Sequence, residues 1–207
     1  MANEITRLLP FRQYDENDVI NFYSLDAETG EAGSVVRVSA ANLDEEPVKY
    51  VERGDSNSYD NTLGHGLSLY PEVPYKVTKM TGTGTNLRPL GILLRDVRAK
   101  DENGENLLYY PEKKEELQCV VSGEAVPIAT RGLFAVNSKA LKNGVVPAIG
   151  AIAVCSTNGT LTGVMHDSAS TEQKHTHVGK FIATGTRESS NTTDAFAGAY
   201  AILKVEL

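Results

Sequence analysis

Tryptophan is missing from this chain altogether, and cysteine occurs only twice. Two cysteines, Cys119 and Cys155, do not frame a metal site and close at most one disulfide. Both sit in apolar, strand-like runs, where a free thiol behaves as a small hydrophobe. They are expected to be buried and reduced. Basic residues are in deficit as well: 20 Lys and Arg face 27 Asp and Glu, a formal net charge of -7. That argues against the basic patch of a nucleic-acid-binding domain. No stretch approaches the roughly 20 apolar residues that span a bilayer. The start, Met1 to Arg7, lacks the apolar segment of a signal peptide. The expectation is a chain made in the cytoplasm, with neither nucleic acid nor membrane as partner.

Catalytic groupings are also scarce. No serine stands in a Gly-x-Ser-x-Gly elbow. The run Thr81-Gly82-Thr83-Gly84-Thr85 is glycine-rich, but no Gly-Lys-Ser/Thr follows it, so it reads as a hairpin tip and not as a phosphate loop. Adjacent carboxylates such as Glu45-Glu46 and Glu115-Glu116 are expected to be solvated. Of the four histidines, His175 and His177 alternate. On a strand, such a pair projects from one face and can share a metal. Two ligands at that spacing are a weak signal, and solvated histidines explain them as well. The reading is a non-enzymatic protein with no cofactor and no metal.

What the chain does have is a succession of short extended runs. Tyr75–Met80, Pro89–Val97, Leu117–Val121, Gly132–Val136, Gly150–Cys155, Val178–Thr184 and Ala199–Leu207 are apolar and are separated by glycine, proline, asparagine or serine. That punctuation predicts an all-β sandwich or barrel. Long helical patterns are absent. Pro111–Glu116 fits one helical turn, with proline at its first position. The piece from Lys139 to Gly144 fits another short turn of helix.

Three regions follow. Residues 1–18 read as an extended arm carrying an apolar hook, Leu8-Leu9-Pro10-Phe11, too short to build its own core. Residues 19–62 read as a hairpin (Val19–Leu25 with Ser34–Ser39) and an irregular connection. Residues 63–207 read as the compact β-barrel or sandwich. Acidic residues crowd 15–60 and 101–116, and charges thin out after Glu116. The tyrosines Tyr59, Tyr70, Tyr75, Tyr109 and Tyr110 are a possible aromatic binding surface.

The order of three segments resembles a known family. These are Gly123–Val136, Gly144–Val154, and Gly179–Gly185 followed by Ala201–Val205. Together with Pro89–Val97 they are similar to the capsid decoration (cement) proteins of tailed bacteriophages, over about residues 65 to 207. The resemblance implies a structural virion protein on the capsid exterior. It would bridge major capsid protein subunits and meet copies of itself, as a homotrimer. In that setting the hook Leu8, Leu9, Pro10 and Phe11 is expected to contact a neighbouring subunit, adding a strand to an exposed edge. The alternatives are another β-rich virion component (tail tube, neck or head-fibre base) and a carbohydrate- or small-ligand-binding β module.

Overall fold

Glycines and polar turns cut the chain into short runs, and among the described residues sixteen strands form. The computed structural model describes residues 8–10, 15–41, 49–51, 70–73, 75–84, 86–188 and 197–207. In chain order the strands are β1 (Leu8–Pro10), β2 (Val19–Ile20), β3 (Ser24–Leu25), β4 (Val35–Ala40), β5 (Lys49–Val51), β6 (Tyr70–Glu72), β7 (Lys76–Lys79) and β8 (Gly91–Leu93). Then come β9 (Val97–Arg98), β10 (Val120–Val121), β11 (Ile128–Ala129), β12 (Arg131–Asn137), β13 (Ile152–Cys155), β14 (Leu161–Val164), β15 (His177–Arg187) and β16 (Gly198–Glu206). Among the described residues two short α-helices join them, α1 (Pro111–Glu116) and α2 (Thr171–His175).

The all-β class holds, in the form of a layered sandwich; neither large sheet closes into a barrel. One six-stranded sheet runs β1-β12-β16-β15-β13-β14, and the other runs β2-β11-β8-β4-β7-β3. Between them lies the main core, with Phe134, Phe181, Leu203 and Leu161 from the first sheet against Val35, Ile92 and Ala129 from the second. The second sheet is covered on its far side too. There Val36, Leu93 and Ile128 pack on Val97, Val120 and Val126 of a third layer. The third layer carries the parallel pair β9 and β10, with α1 beside it.

The first sheet is built from long strands. β15 and β16 stay paired from Gly179↔Val205 to Arg187↔Gly198, with a register shift between Phe181 and Ala183. Gly179 is required there: a Cβ on it would run into the carbonyl oxygen of Lys204. The shift opens a bulge that turns Phe181 inward and leaves Ile182 exposed.

Three local expectations are corrected. The runs Val19–Leu25 and Ser34–Ser39 are not hairpin partners. β4 pairs with β7 and β8, β2 pairs with β11, and β3 runs parallel to β7. The Thr81–Asn86 stretch joins β7 to β8, which are separated by β4, so it is a crossover and not a hairpin tip. The Ser- and Thr-rich stretch before His177, whose composition suggests a loop, holds α2, which opens with a capping box between Ser170 and Gln173. Among the described residues no helix is long and apolar enough to cross a membrane.

Candidate docking surface

The described residues offer no grouping of three His, Cys, Asp or Glu side chains able to hold a metal ion. His175 closes α2, whereas His177 opens β15, so the two do not share a strand face. The His177 ring nitrogen Nδ1 lies 2.7 Å from the carbonyl oxygen of Lys174, and the carbonyl of His175 accepts from Arg88 at 3.2 Å. Both imidazoles are exposed, and their backbone contacts are those of a turn.

The thiols are free and buried. Cys155 lies in the main core, its Sγ 3.2 Å from the carbonyl oxygen of Met80. Burial pushes its pKa up to about 11. Cys119 belongs to a small separate cluster with Leu107 and Val121, and burial raises its pKa as well.

The hook is placed on the chain's own sheet. Leu8, Leu9 and Pro10 form β1, antiparallel to β12 in the register Leu8↔Val136 to Pro10↔Phe134. Leu8 is 3% exposed and belongs to the main core. Phe11 lies outside the described residues. In the single chain this edge strand pairs internally with β12 and buries Leu8.

A candidate docking surface lies at the far edge of the same sheet. β13 and β14 are antiparallel in the register Ile152↔Val164, so the segments before β13 and after β14 leave the sheet at one end. The loop before β13 is Val145-Val146-Pro147-Ala148-Ile149-Gly150, with no polar side chain in it. Gly150 donates its N–H to the carbonyl of Phe181 at 2.8 Å, and the Phe181 N–H donates to Ala151 at 2.9 Å. Pro147 is seated against Gly163, where any Cβ would collide with its ring. The loop is thus pinned down, yet Val145 and Ile149 are 67% and 62% exposed, and Met165 just after β14 is 51% exposed. Exposed Ile182 adjoins Phe181 at this same end.

Three solvent-facing apolar side chains on a pinned loop and its neighbouring strand end differ from scattered surface hydrophobes. A clustered apolar patch marks an interaction site. The edge strand adds a second feature. Among the described residues, β14 meets the chain on its outer side only through the isolated bridge Leu161↔Leu141. Between Gly132 and Met165 the chain carries Lys139 and Lys142 and no carboxylate. Sparse charge suits the core of a protein interface.

The tyrosines divide. Tyr75 is buried, its ring stacked 4.4 Å from Phe22. Tyr109 and Tyr110 are exposed and line an open cavity of about 650 Å³ with Asp101, Asn103, Glu105, Glu112, Lys113 and Glu116. Tyr59 lies outside the described residues. The sequence signal for the apolar end was already present in the uninterrupted apolar loop before β13. The cavity had a weaker signal, the coincidence of a tyrosine pair with an acidic stretch.

A scan of protein-family models, a search of curated proteins and a search of solved structures each returned no match to this chain.

Proposed function

We propose that this chain is a structural binding protein of a virion. It docks on the outside of an icosahedral phage capsid and braces it by bridging major capsid protein subunits. The observation that carries the reading is the pinned apolar end formed by Ile149 and Met165 beside the edge strand β14. The charge distribution supports it: the acidic stretches lie in the front part of the sequence, and the apolar end lies in the sparsely charged remainder. Bracing a lattice needs many modest contacts, and repetition multiplies them into tight attachment. Docking through the apolar end leaves the acidic layer facing solvent.

The test is sedimentation of the purified chain with capsid shells. Wild-type protein is expected to co-sediment, and to remain bound at about 0.5 M salt, where screening removes exposed ion pairs. The Ile149→Asp, Met165→Asp double variant is expected to stay in the supernatant with its fold intact. Binding by that variant equal to wild type rejects the apolar end as the docking surface. Release of the wild type at moderate salt assigns the contact to charged residues instead.

A further inference from the structure

The acidic cavity and a cationic projection elsewhere on the same chain are complementary, and we propose that they join copies of this protein head to tail. The cavity belongs to the third layer. Its floor is ordered by Asp101, whose Oδ1 accepts from the N–H groups of Asn103 and Glu105, each at 2.8 Å. One wall is the turn of 3-10 helix Leu107–Tyr109, anchored by buried Leu107. The other wall is α1, fixed by Lys114, whose ammonium donates to both oxygens of Glu124 at 3.0 and 3.1 Å. Tyr109 and Tyr110, 60% and 50% exposed, stand between these walls.

The lining holds four carboxylates, of Asp101, Glu105, Glu112 and Glu116, against the one ammonium of Lys113. That ammonium is already engaged, 3.3 Å from Glu102 and 3.5 Å from Glu116. Its pKa is raised, first by the hydrogen bond to Glu102. Glu105 and Glu112 have no ion-pair partner among the described residues. An open cavity with two aromatic faces and unpaired carboxylates is matched by a convex segment carrying cations and a small apolar surface.

Such a segment lies between β12 and β13. Ser138–Ala140 and Lys142–Gly144 form two successive 3-10 turns. Their base is fixed, because Ala140 and Leu141 are buried in the main core and the Asn137 side chain accepts the Lys139 N–H at 3.2 Å. Their tip is set by Asn143 and Gly144 in the left-handed region, with φ of 54° and 70°. Lys139, Lys142 and Val145 project from this rigid knuckle into solvent. Among the described residues, neither lysine has an ion-pair partner. A preformed projection loses little entropy on docking.

Knuckle and cavity are different surfaces, so the contact is heterologous and generates a ring or an open chain of copies. The proposal requires no shell: a chain that self-associates yet binds no capsid upholds it, whatever becomes of the docking reading.

Analytical ultracentrifugation of the full chain at low ionic strength and about 0.1 mM protein tests it. Wild type is expected to form concentration-dependent oligomers that dissociate as salt is raised to about 0.5 M. A Lys139→Glu, Lys142→Glu variant and a Glu105→Lys, Glu112→Lys variant are each expected to be monomeric, with melting curves like wild type. Mixing the two is expected to restore association, since an intact cavity then meets an intact knuckle. A monomeric wild type, variants that associate as strongly as wild type, or a mixture that stays monomeric overturns the proposal.

Discussion

The two six-stranded sheets solve the same burial problem in different ways. In the β12-β16-β15 sheet burial alternates along β12, where Phe134 and Val136 are buried while Leu133 and Ala135 are only partly so, although β16 buries Ala201, Ile202 and Leu203 in succession. The β11-β8-β4 sheet is covered on both faces, and neighbouring residues are buried together. Val35 and Val36, Ile92 and Leu93, and Ile128 and Ala129 are all fully inaccessible. Side chains of successive strand residues point to opposite faces. The first sheet presents part of its outer face to solvent, along β12 and β15, and the second is an internal wall. The surface available for partners is on the first sheet and its loops, and on the third layer beyond the second sheet.

The sharpest way to break this comparison is to substitute adjacent residues. In β15, Phe181→Ala is expected to cost about 3–5 kcal/mol, while Ile182→Ala stays within about 0.5 kcal/mol. In β8, Ile92→Ala and Leu93→Ala are each expected to cost about 2–5 kcal/mol. Urea unfolding of the four variants measures this. A large loss for Ile182→Ala, or a negligible one for either β8 variant, dissolves the distinction between the sheets.

A second test concerns the edge of the first sheet. Leu8→Ala is expected to destabilise the isolated chain by about 2–4 kcal/mol, because Leu8 lies in its own core. An unchanged unfolding midpoint for that variant returns the hook to the role of an arm for a neighbour.

The third test uses Cys155, which lies on the covered face of the first sheet. Its thiol pKa is about 11 in the folded chain, against an ordinary 9.0. The folded state thus holds this proton more tightly than the unfolded state. The stability this contributes is complete below about pH 9 and is lost as pH rises toward 11. The loss is about 2–3 kcal/mol. Comparison with Cys155→Ala isolates it: wild type is expected to lose more stability than the variant between pH 8.5 and 11, and equal losses contradict the burial of that thiol.

The contrast between the sheets also explains what could be read from the sequence. β12, β15 and β16 were legible because they are long, and β13 because it is apolar and bounded by glycine and polar turns. The short strands β2, β3 and β4 were recognisable as extended, but their partners were not. Val35-Val36 carries no alternation when both faces are buried, and without alternation there is no register signal. An adjacent pair of runs then reads as a hairpin by proximity alone, although β4 is separated from β2 by β8 and β11. The α2 helix was missed because Ser, Thr and Gln suggest a loop, although Ser170 and Gln173 form a capping box. Part of the apolar end was legible, since the loop from Val145 to Gly150 has no polar side chain. Its exposure was not, because an apolar loop reads as buried until its packing against Gly163 is known.

The central claim is that the apolar end of the first sheet meets the capsid exterior. A cryo-EM map of virions containing this chain tests it most directly. The expected result is density for the chain on the outside of the shell, with Ile149 and Met165 against capsid protein and the acidic third layer turned to solvent. Density inside the shell or only along the tail, or a chain seated with its acidic layer against the capsid, contradicts it.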